Sequence, residues 1–259
     1  MRAQSAETCL PASGRATLPG PLRLAATAAC LAWGLAAAAL VFPFASRLLR
    51  LALRRLWARC MLDAVGLELR VEGEAIEPGA LLVANHVSWV DVLLLASLAP
   101  AAFVAKSEVR CWPAIGWLAA RAETVFLRRA SGRSLLAVKN RIAALLDEGR
   151  SVVLFPEGTT SDGASVLPFR SGLLQSAVDC GRPLQAIAIR YRDAGERRSA
   201  AAAFVDGMSL WQSVLAVCGS GRIRARVSVA PPFAPGGRNR KRLARESRAA
   251  VAAMVAERN

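Results

Sequence analysis

Histidine is almost missing from this chain: His86 is the only one in 259 residues. One imidazole excludes a histidine-built metal centre. The six cysteines (Cys9, Cys30, Cys60, Cys111, Cys180 and Cys218) form no Cys-x-x-Cys pair, so there is no plausible zinc set. Scattered single thiols fit a reducing compartment. Tyrosine also occurs once, and aromatics total 6%. With no recognised nucleic-acid motif either, this argues against nucleic-acid binding despite a net charge of +15. Lysine is scarce: Lys106, Lys139 and Lys241 are the only ones among 34 basic residues, so arginine carries the positive charge. Such a balance asks for an anionic partner. The basic residues cluster beside apolar segments, which points to an anionic membrane surface.

The length accommodates one α/β domain with a full core and a small appendage. Residues 1–21 are rich in Ala, Ser, Pro and Gly without apolar periodicity, so a disordered terminus is expected. Leu24 to Phe44 is uncharged and just long enough to cross a bilayer core or to enter it as a hairpin broken near Pro43. Arg47 to Val65 follows as a basic amphipathic helix. Arg47, Arg50 and Arg54 share a stripe on it, Arg55 and Arg59 widen the stripe, and it is expected to lie on anionic headgroups. Residues 22–66 thus form a membrane-associated unit, and 67–259 the main domain. The arginines after the apolar run outnumber Arg2, Arg15 and Arg23 before it, which predicts a main domain on the cytoplasmic face of the inner membrane.

Within 67–259, strand patterns alternate with helical ones. Strands are predicted at Leu67–Glu72, Leu81–Ala84, Ala101–Ala105, Glu123–Leu127, the run from Ser151, Leu184–Tyr191 and Arg222–Val229. The last alternates and meets Pro231 and Pro232, which predicts an edge strand. Helices are predicted over Val92–Leu98, Trp112–Ala120, from a Ser131 or Ser134 cap to Asp147, Ser171–Cys180 and Arg240–Arg258. The expected fold class is α/β, layered about a central, mostly parallel or mixed sheet.

Two strand ends carry polar chemistry. Leu81–Ala84 runs into Asn85 and His86, and Asp91 follows five residues after the histidine. A strand end feeding a helix is where open α/β sheets place ligands, and a carboxylate returning to an imidazole fixes its tautomer. A structural histidine beside an N-cap aspartate has the same spacing. The apolar run from Ser151 enters Phe-Pro-Glu-Gly-Thr-Thr, residues 155–160. Gly158 lets backbone approach a ligand closely.

His86-x-x-x-x-Asp91 with Asn85 before it, followed by Phe155-Pro156-Glu157-Gly158-Thr159, resembles the glycerolipid acyltransferases, over roughly residues 67–230. The resemblance implies transfer of an acyl group from a thioester to a lysolipid hydroxyl, foremost that of 1-acyl-glycerol-3-phosphate. His86 would be the general base and Asp91 its orienting partner. The acyl thioester, on acyl carrier protein or coenzyme A, would be a substrate, with no cofactor required. The direct attack implied needs no enzyme nucleophile, and Ser88 lacks a nucleophile-elbow pattern. Glu157, Gly158 and Thr159 would meet the acceptor. Lys106, Arg128 and Arg170 would serve as phosphate ligands, although each alone is equally a solvated surface charge. Many members carry Arg where this chain has Thr160, which favours another lysolipid, such as lyso-ornithine lipid, as the alternative acceptor. Ala186 replaces a common proline and implies only a structural change.

Overall fold

A computed structural model describes residues 18–128, 131–205 and 207–257. Most of the expected disordered terminus, with Arg2 and Arg15, and also Arg129 and Arg258, lie outside them. Seven strands form one sheet: β1 (Leu67–Gly73), β2 (Leu81–Ala84), β3 (Ala101–Lys106), β4 (Val125–Leu127), β5 (Ser151–Leu154), β6 (Leu184–Arg192) and β7 (Ile223–Val229). Their order is β1-β7-β6-β2-β5-β3-β4, parallel except where β6 meets β7. The helices are α1 (Gly20–Ala36), α2 (Arg47–Ala64), α3 (Val90–Leu98), α4 (Ile115–Arg121), α5 (Gly132–Asp147), α6 (Gln175–Cys180), α7 (Leu210–Gly219) and α8 (Arg240–Ala256).

The central strands are apolar throughout because both sheet faces are covered. On one face Leu82, Ala84, Val153 and Ile187 pack with α2, α3 and α7. On the other Leu81, Val83, Val152 and Leu184 pack with α5, α6 and α8. Leu81, Leu82 and Leu184 are fully buried, each contributing roughly 1.5–3 kcal/mol of transfer free energy. The chain leaves β2 toward α3 on the first face and β5 toward α6 on the second. Adjacent parallel strands whose connections diverge open a crevice at their carboxyl ends.

Several expected elements differ. Arg222–Val229 is not an edge strand: β7 sits between β1 and β6. Its alternation is real, but the arginine face meets carboxylates of β1 within the sheet, Arg224 facing Glu68 at 3.5 Å and Arg226 facing Glu72 at 3.0 Å. Helix α4 starts at Ile115, after a 3₁₀ turn at Ser107–Cys111, and α6 starts only at Gln175. Ser131, not Ser134, caps α5, accepting from the Ser134 N–H at 3.2 Å.

Helix α1 continues through a π-helical turn, Ala37–Val41, and is the one helix among the described residues long and apolar enough to cross a membrane. It returns antiparallel along α2. Arg23 is buried at the Gly66 end, and the Trp57 indole donates to the Cys30 carbonyl at 2.9 Å. The arginine stripe expected on α2 is divided. Arg54 and Arg55 turn to the domain, donating to the carbonyls of Ala101 (3.0 Å) and Ser97 (2.9 Å), while Arg47, Arg50 and Arg59 are exposed. Ala58, Met61 and Leu62 of α2 are core residues, so one side of this helix packs on the domain.

Candidate active site

The crevice is built from the loops after β2 and β5. Asn85 closes β2 by substituting its amide for a strand pairing. Its Nδ2 donates to the Ile189 carbonyl at 2.9 Å, and its Oδ1 accepts from the Ile189 N–H at 2.7 Å. His86 comes next. Its backbone is held on both sides by the β5 loop: its N–H donates to Glu157 Oε1 at 3.1 Å, and its carbonyl accepts from the Ser161 N–H at 2.8 Å. The imidazole stacks on Phe155, ring centroids 4.1 Å apart and planes 14° from parallel.

Asp91 lies in the first turn of α3 and is wholly buried. Every bond to it is one it accepts. Oδ2 takes the N–H groups of Val87 (2.7 Å) and Ser88 (2.9 Å) and meets His86 Nδ1 at 2.8 Å. Oδ1 takes the Tyr191 hydroxyl at 2.6 Å. Nδ1 is therefore the donor nitrogen of His86, and Nε2 keeps its lone pair. The five-residue spacing has a local cause. It places the carboxylate over N–H groups at the helix entrance that have no partner within the helix.

Tyr191, the chain's one tyrosine, was not legible as a site residue. It stands on β6, the strand beside β2, four residues beyond the pairing of Ala84 with Ile187. Burial and the Asp91 charge push its hydroxyl well above the usual range, so it remains a donor. Its signal in sequence was only that a single tyrosine falls near the end of a strand.

Glu157 is nearly inaccessible. Oε1 accepts from the His86 N–H, the Leu167 N–H faces the carboxyl as a second backbone dipole, and Oε2 has no hydrogen-bond partner among the described residues. Burial, aided by the Asp91 charge, raises its carboxyl to about 7 against the two backbone N–H groups and Arg248. Gly158 follows with φ of 70°, its N–H turned to the Phe155 carbonyl at 3.1 Å. Thr159 is exposed, whereas Thr160 donates its hydroxyl to the Phe204 carbonyl.

The expected basic residues are less concentrated. Parallel pairing of Lys106 with Leu127 brings Lys106 and Arg128 to the same sheet edge as His86 and Glu157, where both side chains are exposed. Arg170 is attached through its backbone, its N–H donating to the Pro156 carbonyl at 2.9 Å, while its side chain is exposed. The structure therefore assembles His86, Asp91 and Glu157 and leaves the three cations at the rim.

A buried carboxylate holding one imidazole at the carboxyl ends of a doubly covered sheet is an arrangement that general-base chemistry can use. The fold is that of the crystal structure of the 1-acyl-sn-glycerophosphate acyltransferase from Thermotoga maritima. The two superpose with a TM-score of 0.54 at 22% identity, over 92% of this chain and 99% of that one. The acyltransferase family model matches residues 68–190. The chain is 41% identical over 203 residues to the lyso-ornithine lipid O-acyltransferase of Pseudomonas aeruginosa, 78% of each chain. It is also 37% identical over 142 residues to the 1-acyl-sn-glycerol-3-phosphate acyltransferase of Neisseria gonorrhoeae, 55% of this chain and 56% of that protein. This chain belongs to the acyltransferase family.

Proposed function

We propose that the protein transfers an acyl group from an acyl thioester, on acyl carrier protein or coenzyme A, to the free hydroxyl of a lysolipid at the inner membrane. The observation that carries this is the 2.8 Å contact between Asp91 and the chain's only imidazole, with three further donors holding Asp91 in place. Nε2 of His86 takes the hydroxyl proton as the acceptor oxygen bonds to the thioester carbonyl carbon. The C–S bond then breaks, and the sulfur leaves with the proton returned by His86. Asp91 stabilises the transient imidazolium and keeps the ring in register with Phe155. The apolar α1 holds the enzyme at the bilayer, with the domain on the cytoplasmic side, where such thioesters are made.

For the acceptor we favour lyso-ornithine lipid. Thr160 stands where many members carry Arg, and its hydroxyl is committed to Phe204, so this loop position offers no cation to a phosphate. The Pseudomonas relative named for that lipid matches the larger share of this chain. Lys106 and Arg128 on the same sheet edge support 1-acyl-glycerol-3-phosphate as a second reading. Membranes containing the protein, supplied with labelled acyl thioester and a panel of lysolipids, decide between them. Labelled ornithine lipid supports the first reading and labelled phosphatidic acid the second. No lipid product from any lysolipid contradicts both.

A further inference from the structure

Helix α7 turns an uncharged face outward. None of its ten residues is charged. Trp211 is 60% exposed and Leu215 42%, and a separation of four places them one turn apart on the same side. Gln212 and Gly219 are exposed with them, while Ser213, Val217 and Cys218 are buried on the opposite side. A helix facing water normally carries charge on its outer face. Exposed Trp and Leu on an uncharged helix mark an apolar contact instead.

Two attachments indicate what covers this face. At its carboxyl end α7 is joined to α1. The buried Arg23 donates to the carbonyls of Ser220 (2.8 Å) and Gly221 (3.3 Å), Thr27 meets Cys218 Sγ at 3.7 Å, and a Cβ on Gly20 would lie 3.3 Å from the Cys218 carbonyl oxygen. Helix α7 thus packs directly against a helix that is apolar over 22 residues and little buried. At its middle α7 is joined to the catalytic corner: Ser213 Oγ accepts from the Trp89 indole N–H at 3.0 Å, and Trp89 lies between His86 and Asp91.

We propose that α7 is a lipid-contacting helix, with Trp211 and Leu215 at the boundary between headgroups and acyl chains. Through Trp89 it holds the His86 corner against the surface from which a lysolipid acceptor arrives. Trp prefers that boundary because its ring is apolar and its N–H is polar. The clause about the acceptor rests on the lysolipid reading above; the lipid contact does not.

The test uses the full chain reconstituted in phosphatidylcholine–phosphatidylglycerol vesicles with ordinary or brominated acyl chains. Subtracting the emission of Trp211→Phe from that of the unaltered protein isolates Trp211. Strong quenching of this difference by brominated chains is expected, and equal emission in both vesicles overturns the proposal. Quenching that appears only after residues 1–17 are removed also overturns it, because the amino-terminal segment would then be what covers α7. In a Trp211→Ser/Leu215→Ser variant, the apparent KM for lysolipid presented in vesicles should rise severalfold, with turnover of detergent-dispersed lysolipid unchanged. An unchanged KM in vesicles contradicts the delivery role. A protein that acylates no lysolipid but shows the quenching loses its proposed function and keeps its lipid-contacting helix.

Discussion

Asp91 is the residue on which the site's geometry converges. It holds the imidazole, two backbone N–H groups and the Tyr191 hydroxyl at once. Asp91→Asn keeps the shape, since its amide N–H groups can face the Tyr191 hydroxyl while the remaining oxygen keeps the imidazole and the backbone N–H groups, but it removes the charge that stabilises an imidazolium. Turnover should fall by about 10²–10⁴-fold, measured with saturating acceptor. An Asp91→Asn/His86→Ala double variant should be little worse than either single one, because residues acting as a unit are not additive. Multiplying losses would show that the two act separately. Glu157 makes a different prediction. Its carboxyl is raised from 4.5 to about 7. Between those values the folded protein keeps a proton that the unfolded chain has released, so this group's contribution to stability falls as pH rises through the window. Glu157→Gln should flatten the dependence of the unfolding temperature on pH between about 5 and 7. An unaltered slope would show that Glu157 titrates like a surface carboxylate. His86, Asp91 and Glu157 were legible in sequence because each spacing is local to one loop. Tyr191 and the Asn85 latch were not. Their partners lie 100 and 104 residues away and meet only once β2 and β6 pair.

At the scale of elements, chain order and strand identity were readable, and neighbours were not. β7 has the alternation of a half-exposed strand, yet β1 takes the outer place and supplies the carboxylates that its arginines need. Helix α7 escaped notice because its exposed side is as apolar as its buried one, which leaves no helical period to detect. The α1–α2 pair depends on a close approach that sequence does not show. A Cβ on Gly34 would lie 2.3 Å from Trp57 Nε1, so only glycine admits the indole there. Gly34→Val should separate α1 from α2 while the sheet domain stays folded. Protease cleavage between residues 36 and 47 should then accelerate, with the far-ultraviolet circular dichroism nearly unchanged. Cleavage at the original rate would mean that the pair tolerates the extra volume.

For the molecule as a whole, the sheet brings two loops into one crevice by sending α3 and α6 to opposite faces, and the apolar α1 is attached beside that crevice through α7. This joins the proposed base, through Trp89 and α7, to the apolar helix. The excess of arginine fits the expected anionic membrane surface only in part. Arg54, Arg55, Arg190, Arg224 and Arg226 are bound within the domain, while Arg47, Arg50 and Arg59 are exposed. The central claim is that the one histidine is the base, and the most direct measurement is acyl transfer by His86→Ala in membranes. His86 is partly exposed and its backbone contacts survive truncation, so the variant should fold and reach the membrane as the unaltered protein does. The expected result is turnover reduced by about 10²–10⁴-fold at every acceptor concentration. Near-normal transfer by folded, membrane-bound His86→Ala protein would contradict the claim.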